Sequence, residues 1–310
     1  MGTGDAMGLK PSLSWAEQVR LLRKRGLAVD DATGCEKFLA AQNYYRFSGY
    51  ARYFQRAPHH GDDLFVPGTS FEAIRRIYDA DEELRQALGG QLARAEILLR
   101  SRTARVVADR CGPYRSYLSA GFYTDAPSAE PTVESCLRDL ERSRERHILR
   151  FTSVSDTVGT SRFEELPIWS AVDAWSFGTL SKCIERGDSG SLAGAVASSL
   201  GVAQAGFAYR VRALVYLRNR CAHHSRLWNH SIIDAGPTPN NVRARAKRLA
   251  GQFEPRSLLD VIASMDDILA RGMAAEPILP ALVAGQSAHV SFWQGLCAPV
   301  SSRDHQDRLS

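Results

Sequence analysis

The chain has 310 residues, of which 44% are hydrophobic and 24% charged, so it can bury one large core or two modest ones. It contains no run of about eighteen apolar residues, and its first residues lack the basic and apolar regions of a secretory signal. The sequence therefore predicts a soluble cytoplasmic protein with no membrane partner. The six cysteines are scattered and never form a CxxC pair, so neither a zinc knuckle nor a disulfide framework is indicated.

The formal net charge is +5, but the basic residues are 34 arginines against 5 lysines. Arginine has a planar fork that matches phosphate oxygens, which makes a nucleic-acid partner worth considering. Codon usage in a GC-rich genome would produce the same excess. Only local clusters of arginine therefore count as support for a nucleic-acid partner.

Helical patterns dominate the first part of the chain. A capping box that begins at Ser14 predicts a helix that ends at Gly26. The apolar and aromatic residues 38–54 predict two helices that meet near Asn43 or Gly49. A loop over residues 58–63 follows.

The longest predicted helix opens at a second capping box, at Thr69, and continues to Cys111 with a kink at Gly89 and Gly90. Pro131 suits the first turn of a further helix. On that helix four arginines lie four residues apart, which predicts either a solvated face with ion pairs or a ridge that contacts RNA: Arg138, Arg142, Arg146 and Arg150.

The remaining elements are also helical. A long helix is predicted from Ala203 to His224, and a break at Gly236 precedes two C-terminal helices, one of them opened by Pro255. Because convincing strand alternation is scarce, the sequence predicts an all-α protein.

The segment 217–229 combines arginine, a side-chain amide and two histidines. At about 100° per residue on a helix, Asn219 and His223 share a face, whereas Arg218 falls within the apolar arc. A buried guanidinium needs a partner. Arg218 therefore either forms a structural ion pair, for example with Glu96, or points at an anionic ligand in a cleft or at a subunit interface.

These side chains suit the cutting of an RNA phosphodiester. The reaction needs deprotonation of the 2′-hydroxyl, stabilisation of charge on the phosphorane and protonation of the 5′-oxygen. Histidine can supply either proton transfer, arginine can stabilise the phosphorane oxygens, and an amide can orient either group. No metal is required, and a zinc site is disfavoured because adjacent histidines diverge by about 100° and Cys221 lies opposite His223. No glycine loop typical of nucleotide binding is present, so no cofactor is predicted.

Residues 218–229 resemble the signature of the Abi-like abortive-infection proteins of the AbiD/AbiF type, which belong to the HEPN superfamily. The likeness spans about residues 14–235 and includes the blocks 43–50, 96–100, 167–169 and 176–181 in the expected order. Two parts depart from the family. Residues 52–54 read Arg-Tyr-Phe where relatives often have a Trp-Tyr-Pro-Phe type run, and the segment after Gly236 matches no family block.

The resemblance implies a HEPN-like helical bundle with N-terminal and C-terminal helical extensions, divided into residues 1–65, 66–235 and 236–310. Arg218 and His223 fit the R-x4-H motif of metal-independent endoribonucleases, and Asn219 fits its polar position. His224 is a possible catalytic neighbour, and Arg220 and Arg226 are expected to contact RNA. Because such sites are usually composite and this chain has one motif, the resemblance implies a homodimer.

The leading hypothesis is a toxin-like ribonuclease of phage defence, held in check in some relatives by a small noncoding RNA. A second hypothesis is a non-cleaving RNA-binding module, in which a cluster on another helix would also contact phosphates: Arg243, Arg245, Lys247 and Arg248. A third is a helical protein-interaction scaffold in which Arg218 is structural.

Overall fold

A computed structural model describes residues 12–152, 159–233, 235–285 and 289–300. Residues up to Glu82, together with Val300, belong to one compact unit, and Glu83–Pro299 form another. The predicted boundaries at residues 65 and 235 differ from these limits, and the three-segment division stays a prediction. Residues 1–11, in which the sequence predicts no secretory signal, lie outside the described residues.

The protein is all-α, as predicted, with 65% of the described residues in α- or 3-10 helices. The described residues contain one two-stranded sheet and fourteen α-helices: α1 (Trp15–Lys24), α2 (Ala32–Gln42), α3 (Tyr44–Ala51), α4 (Phe71–Cys111), α5 (Thr132–Arg142), α6 (Arg146–Leu149), α7 (Ile168–Ala174), α8 (Phe177–Arg186), α9 (Leu192–Ser199), α10 (Phe207–Ala222), α11 (Asn240–Ala250), α12 (Leu258–Arg271), α13 (Leu279–Gly285) and α14 (Val290–Cys297). Across the ranges that the structure describes, none of these helices combines the length and the apolar character needed to cross a membrane.

The first unit confirms the capping box at Ser14, whose side chain accepts a hydrogen bond from the backbone N–H of Glu17. The predicted junction of two helices lies at Asn43, which has a φ of 69° and whose side chain accepts from the backbone N–H of Tyr45. Asparagine tolerates this left-handed conformation better than most residues, so it can separate α2 from α3 without a glycine.

The loop predicted over residues 58–63 forms the turn of a small hairpin at residues 58–61, and its last two residues begin a strand. Strands β1 (Gln55–Ala57) and β2 (Asp62–Phe65) pair antiparallel, with Gln55 opposite Phe65. Each strand is too short for alternation of apolar and polar residues to be recognised in the sequence.

The long helix α4 begins at Phe71, and Ser70 caps it by accepting a hydrogen bond from the backbone N–H of Ala73. The prediction of a capping box at Thr69 is therefore wrong by one residue, because the Thr69 hydroxyl donates instead to the carbonyl of Val66. The helix runs unbroken through Gly89 and Gly90.

The predicted row of four arginines on one helix is wrong. Helix α5 ends at Arg142, and both Ser143 and Glu145 have extended backbone before α6 begins at Arg146. The side chains of Arg138 and Arg142 therefore lie on a different helix from those of Arg146 and Arg150. Counting residues in fours assumes an unbroken helix, and that assumption fails between α5 and α6.

The second unit is organised around α10, which packs against α8, α9 and α12. Arg210 of α10 is fully buried and donates hydrogen bonds to Ser264 and Asp267 of α12. Helix α12 is buried along almost its whole length and begins at Leu258, capped by Ser257 rather than opened by Pro255. The ion pair between Arg210 and Asp267 fixes α10 in register with the C-terminal helices.

Candidate functional site

The end of α10 carries the residues that the sequence singled out. The helix begins at Phe207, after Gly206 with a φ of 71°, and ends at Ala222, so it is shorter at both ends than predicted. His223 follows as the C-terminal cap, and its backbone N–H still donates to the carbonyl of Asn219 at 2.9 Å. Asn219 and His223 therefore remain one helical turn apart.

The chain leaves α10 through a Schellman turn. The backbone N–H of Ser225 donates to the carbonyl of Arg220 at 2.8 Å, and that of His224 donates to Cys221 at 3.0 Å. His224 occupies the left-handed position of this turn, with a φ of 53°, where glycine is the usual residue. His223 has a φ of −87°, whereas His224 has a positive φ, so the two adjacent histidines do not share one face of a helix.

Arg218 has the partner that the sequence suggested. Its Nε atom lies 3.6 Å from Oε2 of Glu96, and its Nη1 atom donates to Oδ1 of Asn219 at 3.3 Å. The Arg218 side chain is nevertheless 45% exposed. Its guanidinium is therefore oriented by two neighbours and still open to solvent on one side.

Glu96 is shared between two arginines. Its Oε1 atom accepts a hydrogen bond from Arg100, one turn further along α4, while Oε2 faces Arg218. Arg100 also donates to the backbone carbonyls of Val172 and Trp175 at the end of α7. Two guanidiniums around one carboxylate leave a net positive charge beside the exposed end of α10.

The three proposed catalytic residues lie at the end of α10. Arg218 and Asn219 are in contact, and His223 follows one turn after Asn219; all three are exposed. Among the residues that the structure describes, the His223 imidazole has no hydrogen-bond or ion-pair partner. Arg218 and His223 are five residues apart, so their side chains leave the helix in directions about 140° apart.

Arg220 and Arg226, which were expected to contact RNA, are half-buried. The Arg220 guanidinium donates to the backbone carbonyl of Arg226 and to the Tyr216 hydroxyl, and it lies over the Tyr216 ring at 5.8 Å from the ring centroid. Arg220 thus ties the segment after the turn back to α10. Its RNA contact stays a prediction.

Tyr216 and His230 form a pair that the sequence did not reveal. The two rings are stacked with 6° between their planes, and the Tyr216 hydroxyl lies 2.6 Å from Nε2 of His230. Burial, together with the charges of Arg220 and Arg226, lowers the pKa of His230 to about 4. His230 is therefore neutral near pH 7 and supports the turn as an uncharged ring. No spacing in the sequence indicates this pair, because His230 lies beyond the end of α10.

The last residues of the motif are covered by the C-terminal extension. Leu227, Trp228 and Asn229 are buried, and Nε1 of Trp228 donates to the carbonyl of Ser291 at 3.2 Å. A Cβ atom at Gly295 would lie 2.2 Å from Nε1 of Trp228. Helix α14 approaches the motif closely because position 295 has no side chain.

The four arginines of α5 and α6 are exposed, but two have acidic partners. Arg138 pairs with Glu130, and Arg142 pairs with Asp139. Arg146 begins α6, Arg150 is the C-terminal cap of that helix, and the guanidinium of Arg150 lies over the Phe151 ring. Within the described ranges, no group of three or more histidine, cysteine or acidic side chains is placed to hold a metal ion.

The fold and the site define an all-α protein with a basic, histidine-bearing helix end. Residues 37–229, more than half of the chain, match the family model described as Abi-like protein. The chain belongs to the Abi-like protein family, which indicates a role in abortive infection, a form of phage defence. No curated protein and no solved structure shows significant similarity to the chain.

The left-handed backbone at His224 gives a first prediction. His224→Gly and His224→Ala both remove the imidazole, but only alanine keeps the Cβ atom that is strained at a φ of 53°. The glycine variant should therefore be the more stable of the two by about 1 kcal/mol in urea unfolding. Arg212, inside α10, is the control position. There the alanine variant should be more stable than the glycine variant, since glycine is the poorer residue within a helix. Alanine being the more stable at position 224 would contradict the turn described above.

The low pKa of His230 gives a second prediction. In the unfolded chain a histidine takes up a proton near pH 6.5, whereas folded His230 does so only near pH 4. The unfolded state therefore binds more protons between these values, and the melting temperature should fall as pH is lowered from 6.5 to 4. His230→Gln should reduce that fall. Tyr216→Phe should preserve it, because burial is the main cause of the shift; equal pH dependence in His230→Gln and wild type would show that His230 does not contribute.

Proposed function

We propose that this protein is a metal-independent endoribonuclease of abortive-infection defence, with its active site at the exposed end of α10. The observation that carries the proposal is the Arg218 guanidinium, which Glu96 and Asn219 orient while 45% of the side chain stays exposed, at the helix end that also carries the exposed His223. The resemblance of Arg218, Asn219 and His223 to the R-x4-H motif of the HEPN superfamily supports the same assignment.

Each side chain has a distinct role in this proposal. The exposed N–H groups of Arg218 bind the scissile phosphate and stabilise the charge that develops on the phosphorane oxygens. The His223 imidazole acts as a general acid or base, since a neutral imidazole can accept a proton and an imidazolium can donate one. Asn219 keeps its Oδ1 atom on Arg218, so its amide N–H groups can donate to a phosphate oxygen or to the 2′-hydroxyl.

A second copy of the chain would complete the site. In-line cleavage removes a proton from the 2′-oxygen on one side of phosphorus and delivers one to the 5′-oxygen on the opposite side. One His223 imidazole cannot occupy both sides at once. A homodimer in which two α10 ends face each other would supply the second imidazole, and a cognate noncoding RNA could restrain such a site by occupying it.

His223→Ala should reduce cleavage of single-stranded RNA in EDTA by at least about 100-fold, because loss of a general acid or base typically costs this much. The assay follows the cleavage rate, with His147→Ala, at an exposed histidine of α6, as the control that keeps full activity. Products should end in 2′,3′-cyclic phosphate. Equal activity of His223→Ala and wild type, or efficient cutting of an all-deoxy substrate, would contradict the mechanism.

The same variant separates cleavage from RNA binding alone. Loss of growth inhibition with unchanged RNA affinity in His223→Ala supports cleavage. The alternative is a non-cleaving RNA-binding module, which the exposure of Arg146 and Arg150 on α6 favours. In that case substitution of these arginines removes both RNA binding and growth inhibition, and RNA affinity falls steeply as the salt concentration rises.

Arg218→Ala distinguishes a functional from a structural arginine. An ion pair at 3.6 Å with one partner 45% exposed contributes less than about 1 kcal/mol. The variant should therefore lose less than this in urea unfolding and yet lose RNA cleavage. Arg105→Ala, which breaks an exposed ion pair with Asp109 on α4, is the matched control and should retain activity. A large loss of stability in Arg218→Ala would favour the structural role.

A further inference from the structure

A cavity in the C-terminal extension lies outside the proposed ribonuclease site. It has a volume of about 460 Å³ and is enclosed by helices α11, α12 and α13. Most of its lining is apolar: Val242, Ala246, Leu249, Ala263, Pro277 and Leu279. Cavities of this size and composition typically hold one small organic molecule.

The polar side of the cavity is formed by two arginines and two aspartates, Arg245, Arg271, Asp266 and Asp267, and the buried Arg210 contacts one of the aspartates from outside the lining. Asp267 is almost fully buried, and its Oδ2 atom accepts from Arg210 at 2.9 Å. Its Oδ1 atom serves both Arg271 at 3.1 Å and Arg245 at 3.5 Å. One carboxylate thus faces three guanidiniums, and Arg245 and Arg271 share a single oxygen.

Asp266, the second carboxyl group in the lining, offsets this charge only in part. Its Oδ1 and Oδ2 atoms accept from the backbone N–H groups of Ile278 and Leu279, so both oxygens are occupied at the start of α13. Burial raises the pKa of Asp266 to about 6, so this carboxyl group remains mostly ionised at pH 7. Three guanidiniums then face two carboxylates, and the cavity keeps a positive edge beside an apolar interior.

Arg245 and Arg271 have N–H donors that Asp267 does not engage. Their side chains are 63% and 46% exposed, and within the described part of the chain each has Asp267 as its acidic partner. A guanidinium carries five N–H donors, so most of those on these two residues are open to a ligand. Both guanidiniums converge on Oδ1 of Asp267, which brings them close enough to grip one anionic group.

We propose that this cavity binds a small amphipathic organic anion. A carboxylate, sulfonate or phosphate group of the ligand would accept hydrogen bonds from Arg245 and Arg271, and its apolar body would fill the space between α11, α12 and α13. The proposal is independent of RNA cleavage, because none of the lining residues belongs to the Arg218 site.

The test uses the full-length protein and the fluorescent probe 8-anilinonaphthalene-1-sulfonate, an aromatic monoanion. Wild type should bind one equivalent and melt at a higher temperature in its presence, since a ligand of the native state stabilises it. The double variant Arg245→Gln/Arg271→Gln should bind at least about 10-fold more weakly. Arg248→Gln, on the same helix but outside the lining, should bind like wild type.

Two further arms separate the charged edge from the apolar interior. The uncharged analogue N-phenyl-1-naphthylamine should bind wild type and the double variant equally, which assigns the loss to the sulfonate. Ala270→Trp, at an exposed lining position, should obstruct the cavity and abolish binding of both probes. Equal affinity of the sulfonate probe for wild type, the double variant and Ala270→Trp would overturn the proposal, as would the absence of saturable binding to wild type.

Discussion

The Glu96 carboxylate is the interaction on which the arrangement of the site depends. It sits between Arg100 of its own helix and Arg218 of α10, and Arg100 reaches on to the carbonyls of Val172 and Trp175. Three helices, α4, α7 and α10, are therefore joined at one charged centre. With 14% of its side chain exposed, Glu96 is screened from water enough to orient both guanidiniums. The position of Arg218 is thus set by the interior of the second unit, although its guanidinium opens to solvent.

The end of α10 adds a second constraint. A Schellman turn leaves few ways for the chain to continue, and here it places a histidine where the backbone is left-handed. Arg220 and the stacked pair of Tyr216 and His230 then hold the following segment against the helix. These contacts use half-buried groups, whereas Arg218, Asn219 and His223 stay exposed. At about 100° per residue, Tyr216 and Arg220 share the side of α10 that carries Asn219 and His223, so the supporting contacts lie next to these exposed groups, whereas Arg218 projects from the opposite side.

The sequence predicted what local patterns determine. The cap at Ser14, the helix junction at Asn43 and the need for an acidic partner at Arg218 each follow from a residue and its immediate neighbours along a helix. The break between α5 and α6 was missed because spacing alone cannot show that Ser143 is extended. The stacking of His230 on Tyr216 and the cover over Trp228 depend on segments that meet only after folding, so no spacing rule contains them. The motif drew attention to the end of α10, but the contacts that support this helix end could not be predicted from it.

The contact between Trp228 and α14 has a consequence for how this protein can be divided. The family match ends at residue 229, yet Nε1 of Trp228 finds its acceptor at Ser291, and Gly295 fits against the same indole. A fragment cut at the end of the matched region would expose that ring and leave Arg210 without Asp267. The family region accordingly depends on the C-terminal helices for part of its packing. Exchange of C-terminal segments between relatives would succeed only where the new segment supplies a hydrogen-bond acceptor for Trp228 and an acidic side chain for the buried Arg210.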